Sequence, residues 1–131
     1  MTTHLHHVHV FASNLDTSVA WYRDLLGGVV VFDGAFAGAR NIFMKIGEGR
    51  LHLYDQPPRE TSRSSVHHIG IRTDDLALIV ERLRAAGQAE RGEIRDFGWW
   101  RYFMCAAPDG VLLELFEIDT TEAPDDLVNY F

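Results

Sequence analysis

The chain has 131 residues, with 12 basic and 19 acidic side chains, seven histidines and a formal charge of −7. That acidity argues against a nucleic-acid partner, which draws on clustered Lys and Arg. At 47% hydrophobic and 24% charged residues, the composition is that of a folded globule of one-domain size rather than a disordered chain. No apolar run approaches the roughly 20 residues of a membrane span, and the start Met1-Thr2-Thr3-His4 lacks a signal-peptide pattern. The single cysteine, Cys105, forms no intrachain disulfide, which with the missing signal points to the cytoplasm.

In chain order the first feature is a repeat. The segment His6-His7-Val8-His9-Val10-Phe11-Ala12-Ser13-Asn14-Leu15 matches His67-His68-Ile69-Gly70-Ile71-Arg72-Thr73-Asp74-Asp75-Leu76. Each copy opens with a histidine doublet on a strand. A polar start signal follows, Asn14 or Asp16 in the first copy and Asp74 in the second, and then apolar residues at helical spacing: Leu15, Val19, Tyr22 and Leu26 before Gly27, and Leu76, Val80 and Leu83 before Gly87. Strands are expected at 28–33, 41–46 and 50–54, and again at 89–96, 100–105 and 111–118. The turns Gly47-Glu48-Gly49 and Pro108-Asp109-Gly110 punctuate them, and Pro57-Pro58 with the polar run 59–65 links the copies. The expected fold is α+β: two βαβββ modules, about 4–56 and 64–119, paired to form a curved β-sheet cleft, with a C-terminal tail at 120–131 that packs on its own or a neighbouring subunit.

Side chains alternate along a strand, so His7, His9 and Phe11 share one face, matched by His68, Gly70 and Arg72 in the second copy. Leu51-His52-Leu53 matches Leu113-Glu114-Leu115, each a polar residue between leucines. A lone histidine on a half-buried strand is ordinarily a hydrogen-bonded core or rim residue. Four polar residues at repeat-related places, His7 with His68 and His52 with Glu114, are different. Packed about a pseudo-twofold axis, they would supply three imidazoles and a carboxylate, a donor set for Ni, Zn, Co, Fe or Mn.

These segments, with Trp21-Tyr22-Arg23-Asp24-Leu25-Leu26-Gly27 and Ala107-Pro108-Asp109-Gly110-Val111-Leu112, resemble the vicinal oxygen chelate superfamily. That group includes glyoxalase I, methylmalonyl-CoA epimerase, fosfomycin-resistance transferases, extradiol dioxygenases and the metal-free bleomycin-resistance binding proteins. The resemblance covers about residues 5–118. It implies a divalent metal held by His7, His52, His68 and Glu114, with two substrate oxygens chelated and negative charge stabilised during reaction. A lyase, isomerase or epimerase is the leading expectation, with Glu114 or His52 as general base.

His52 stands where glyoxalase I usually has glutamate, and Met104 stands near a tyrosine of the dioxygenases and fosfomycin enzymes. The alternatives are an Fe(II) dioxygenase acting on an aromatic substrate, built on His7, His68 and Glu114, and a metal-free binder of an aromatic small molecule. His9, Phe11, Gly70, Arg72, Trp100, Arg101 and Met104 are candidate substrate-pocket residues, each weighed against core packing or a solvated surface. The resemblance also implies a homodimer, with ligands drawn either from one chain or from two. A small-molecule substrate is the expected partner.

Overall fold

The computed structural model describes residues 2, 5–36, 38–59, 66–89 and 91–131. It divides into two compact units, Met1–Arg63 and Ser64–Phe131, and each is a βαβββ module. The linker expected at 59–65 lies, apart from Arg59, outside the described residues.

In the first unit, strand β1 (Val8–Phe11) leads into helix α1 (Leu15–Leu26), followed by β2 (Val29–Phe36), β3 (Ala39–Ile46) and β4 (Gly49–Tyr54). The sheet order is β1-β4-β3-β2, with β1 parallel to β4 and the other pairs antiparallel. Helix α1 starts where the Asn14 side chain accepts the Thr17 N–H, and it stops at Gly27 in the left-handed conformation, φ 70°. The corner that follows is tight. A Cβ on Gly28 would sit 2.8 Å from the Met44 Cε and 3.0 Å from the Tyr22 carbonyl oxygen. The apolar positions of α1, Leu15, Val19 and Tyr22, are buried, as are Ile42, Met44, Leu51 and Leu53 on the strands.

Strand β2 runs three residues beyond the expected end at Asp33 and forms an edge of its sheet. Its register with β3 slips between Val30 and Phe32, which makes Val31 the extra residue of a bulge. Val29 to Phe32 are all exposed, by 40% or more.

The second unit repeats the plan with β5 (Ile69–Arg72), α2 (Leu76–Ala85), β6 (Arg95–Asp96), β7 (Trp100–Ala106) and β8 (Leu112–Ile118), in sheet order β5-β8-β7-β6. The start signal of α2 is Asp75 rather than Asp74: its side chain accepts the Leu78 N–H at 3.0 Å. The strand expected over 89–96 shrinks to Arg95–Asp96. Buried Ala89 anchors the chain just after the helix, and Gly87 (φ 68°) and Gly92 (φ 109°) turn it away from extended geometry. Leu76, Val80 and Leu83 of α2 are buried, with Phe103, Cys105, Leu113 and Leu115 of the sheet.

In both units, then, one face of the sheet carries the apolar core. The other face carries the polar residues of the repeat, and register fixes which strand places them side by side.

Candidate metal centre

In the first unit the parallel pairing of β1 with β4 sets His9 opposite His52 and Phe11 opposite Tyr54. The His7 ring lies flat on the His52 ring, centroids 3.9 Å apart and 14° between planes. Phe43 covers the other side of His52 at 3.8 Å and 16°, so the imidazole is held in plane between two rings. Phe32 packs on Phe43 at 5.0 Å. The His9 ring stands edge-on to His52 at 5.7 Å and to Tyr54 at 5.7 Å. His7, His9 and His52 each present one ring nitrogen, and the three atoms lie within 4.8 Å of one another.

In the second unit β5 pairs in parallel with β8, which sets Gly70 opposite Glu114. His9 and Gly70, like His52 and Glu114, are therefore equivalent in register as well as in sequence. His68 Nε2 lies 3.1 Å from Glu114 Oε2. The carboxylate is only 13% exposed, and this pairing satisfies it. A Cβ at Gly70 would lie 3.4 Å from the Phe116 ring, in contact with it. The two histidine doublets match in detail. His6 and His7 approach through their Nδ1 atoms at 3.1 Å, and His67 and His68 do so at 2.8 Å. Each doublet turns the Nδ1 atoms toward each other and leaves the Nε2 of His7 and of His68 free of that contact.

Burial pushes the His9 and His52 imidazoles below the usual histidine range, and neighbouring imidazoles push the same way, His7 for both and also His9 and His6 for His52. A hydrogen bond with Asn41 opposes this at His9. Both rings are thereby biased toward the neutral form, the one that can coordinate a cation. Cys105 is buried with the core, and desolvation raises its thiol to about 11, which leaves it packing rather than reacting.

The remaining candidates separate by face. Met104 pairs with Glu114 across β7 and β8, the place Phe43 takes beside His52. Trp100 shares that face and stacks on Phe116 at 4.9 Å and 10°. Arg72 ends β5 opposite Phe116 and is exposed. Phe11 lies beneath the Arg59 guanidinium at 5.7 Å. Arg101 is on the opposite, helix-facing side with Phe103, paired to Glu117 at 2.8 Å and to Asp96 at 3.8 Å. Its charge is already engaged in structure.

Sequence reasoning missed four contributors: Phe43, Asn41, Phe116 and Phe131. Asn41 carried a signal, being a polar residue inside an apolar strand, and it is 1% exposed. Phe131 carried none. Its ring lies 5.1 Å from Trp100 and 6.0 Å from Phe116, so the tail packs onto the Glu114-bearing face of its own unit.

A family model, the Glyoxalase/Bleomycin resistance protein/Dioxygenase superfamily, matches residues 4–115. The chain belongs to this superfamily. Among solved structures it is similar to a glyoxylase/bleomycin resistance protein/dioxygenase domain from Frankia (19% identity, 91% of this chain and 100% of that one, TM-score 0.74). It is also similar to the fosfomycin resistance protein FosX from Listeria monocytogenes, complexed with Mn(II) and 1S,2S-dihydroxypropylphosphonic acid (18%, 91% and 95%, 0.75). A third similar structure is lactoylglutathione lyase from Agrobacterium tumefaciens (23%, 88% and 94%, 0.64). At these identities the likeness is one of fold. No curated protein matches the chain significantly. Among the described residues no helix is long and apolar enough to cross a membrane.

Proposed function

We propose that this superfamily member is a divalent-metal-dependent enzyme of the glyoxalase type, a lyase, isomerase or epimerase acting on a small substrate with two neighbouring oxygens. The ligand residues in this reading are His7, His52, His68 and Glu114. The observation that carries it is the register match: His52 and Glu114 occupy the same place in their sheets, each beside the histidine that stands just before the parallel strand. Three imidazoles and one carboxylate fit Zn, Ni, Co, Fe or Mn and fit Mg or Ca poorly. Such a cation would supply Lewis acidity toward substrate oxygen.

The chain's own residues do the rest. Glu114, held at Oε2 by His68 Nε2, is the group that takes a proton from carbon and returns it. His52 is locked in plane and biased neutral, so its part is to orient and to donate its nitrogen lone pair. Trp100 and Phe116 stack on each other on the same face of the sheet as Glu114 and offer an apolar surface to a substrate. FosX bound to Mn(II) and the lyase from Agrobacterium are similar in fold, which supports a metal-using reading. A homodimer and a reducing compartment fit the family and the single buried cysteine; light scattering tests the first.

Elemental analysis of purified wild type, His52→Ala and Glu114→Ala decides between readings. About one metal per chain, lost in both variants, supports the enzyme and leads to proton-exchange assays. Retention in His52→Ala alone shifts the assignment to an Fe(II) dioxygenase. The aromatic face around Trp100 favours a binder of aromatic molecules if wild type takes up no metal from any candidate ion.

A further inference from the structure

We propose that the first unit forms a divalent-cation site by itself, with His7, His9 and His52 as its three protein donors and Asn41 as the residue that orients His9. This shares His7 and His52 with the function proposed above and goes beyond it at His9. The repeat gives no warrant for that residue, since its equivalent in the second unit is Gly70.

The argument is one of placement. Parallel strands lie about 4.8 Å apart, so His9 and His52, opposite each other in register, project side by side, and His7 joins them from the same face one pleat earlier. The donor nitrogens lie within 4.8 Å of one another. Ligation at about 2.0–2.1 Å in a tetrahedral shell sets nitrogens about 3.4 Å apart. Closing that difference falls to His9 and to His7, which must turn off the face of His52 and whose ring is exposed like that of His9, while His52 stays backed by Phe43.

Each mobile ring has an outer partner of the kind that metal-bound histidines have. His7 turns Nδ1 toward His6, which leaves Nε2 to coordinate. Buried Asn41 interacts with the His9 ring, and its Nδ2 is tied to the Ala39 carbonyl oxygen at 3.2 Å. Three imidazoles with exchangeable positions beside them suit Zn(II), Co(II) or Ni(II).

The test uses the full chain, stripped with chelator and titrated with Co(II) by absorption and Zn(II) by calorimetry. The His68→Ala/Glu114→Ala double variant, which like Glu114→Ala loses its metal on purification, is expected to take up about one equivalent per chain when the ion is added in excess, and adding His9→Ala to weaken that binding more than about tenfold. His9→Gln serves where alanine disturbs β1, and circular dichroism confirms folding. Loss of all binding in the double variant, with wild type still binding one equivalent, overturns the proposal and leaves the four-residue reading standing. Unchanged affinity on adding His9→Ala overturns it too. A wild type that binds neither ion overturns both readings.

Discussion

His52 is the residue on which the first unit turns, because two stacked rings fix its plane while burial, and after it the surrounding imidazoles, disfavour its protonation. The consequence is a pH dependence of known sign. In the metal-free chain the folded-state pKa values of His9 and His52 lie below the unfolded value of 6.5, so between the two values the unfolded chain binds more protons. Stability is full above 6.5, falls as the pH drops through that value, and stops falling below the folded pKa values. Thermal melts of chelator-treated protein from neutral to mildly acidic pH should show this decline, and His52→Gln should shrink it. Asn41 makes the other residue-scale case. Its side chain is buried and its Nδ2 donates to the Ala39 carbonyl oxygen, so Asn41→Ala should cost about 1 kcal/mol in denaturant unfolding. His9, His52 and Glu114 stand out in the sequence because each interrupts an apolar strand. Phe43 does not, since an aromatic residue on a strand is equally a core residue until the register shows His52 beside it.

At the scale of elements, Glu117 shows how a strand side chain completes a helix. Its Oε2 accepts the Leu76 N–H at 2.8 Å, its Oε1 pairs with Arg101 at 2.8 Å, and Asp75 accepts the Leu78 N–H. The first turn of α2 therefore has two caps from two elements. Glu117→Ala should lower stability by about 1 kcal/mol through the lost cap, with little from the half-exposed Arg101 pair; chemical denaturation measures it. Both helices were legible from 3.6-residue periodicity, and their ends from Asn14, Gly27 and Gly87. The α2 start was misplaced by one residue because Asp74 and Asp75 are adjacent, and only the second stands directly before Leu76. β6 was overextended because alternation cannot see that Gly87 and Gly92 adopt positive φ. Arg101 was assigned to the pocket on residue type alone, whereas strand parity with Phe103 sends it to the helix side.

For the whole molecule, the duplicated plan was written in the two histidine doublets, and the register pairs bear it out. The tail had no second copy to compare with, so its position on the Trp100 and Phe116 rings was not readable. Removing residues 120–131 should expose that face, red-shift the tryptophan emission and raise binding of an apolar dye, while melts change little; fluorescence follows all three. The edge strand β2 has a different consequence, for colloidal behaviour. Four consecutive apolar side chains are exposed there, on a strand that pairs along one side only among the described residues, and the bulge at Val31 is the feature that interrupts an otherwise continuous template for strand addition. Shelf life at high concentration should therefore be set by this margin rather than by the core. Val31→Lys should slow the growth of scattered light on warming with stability changed by less than about 0.5 kcal/mol, making a single surface residue the limit on how concentrated a solution of this protein stays clear.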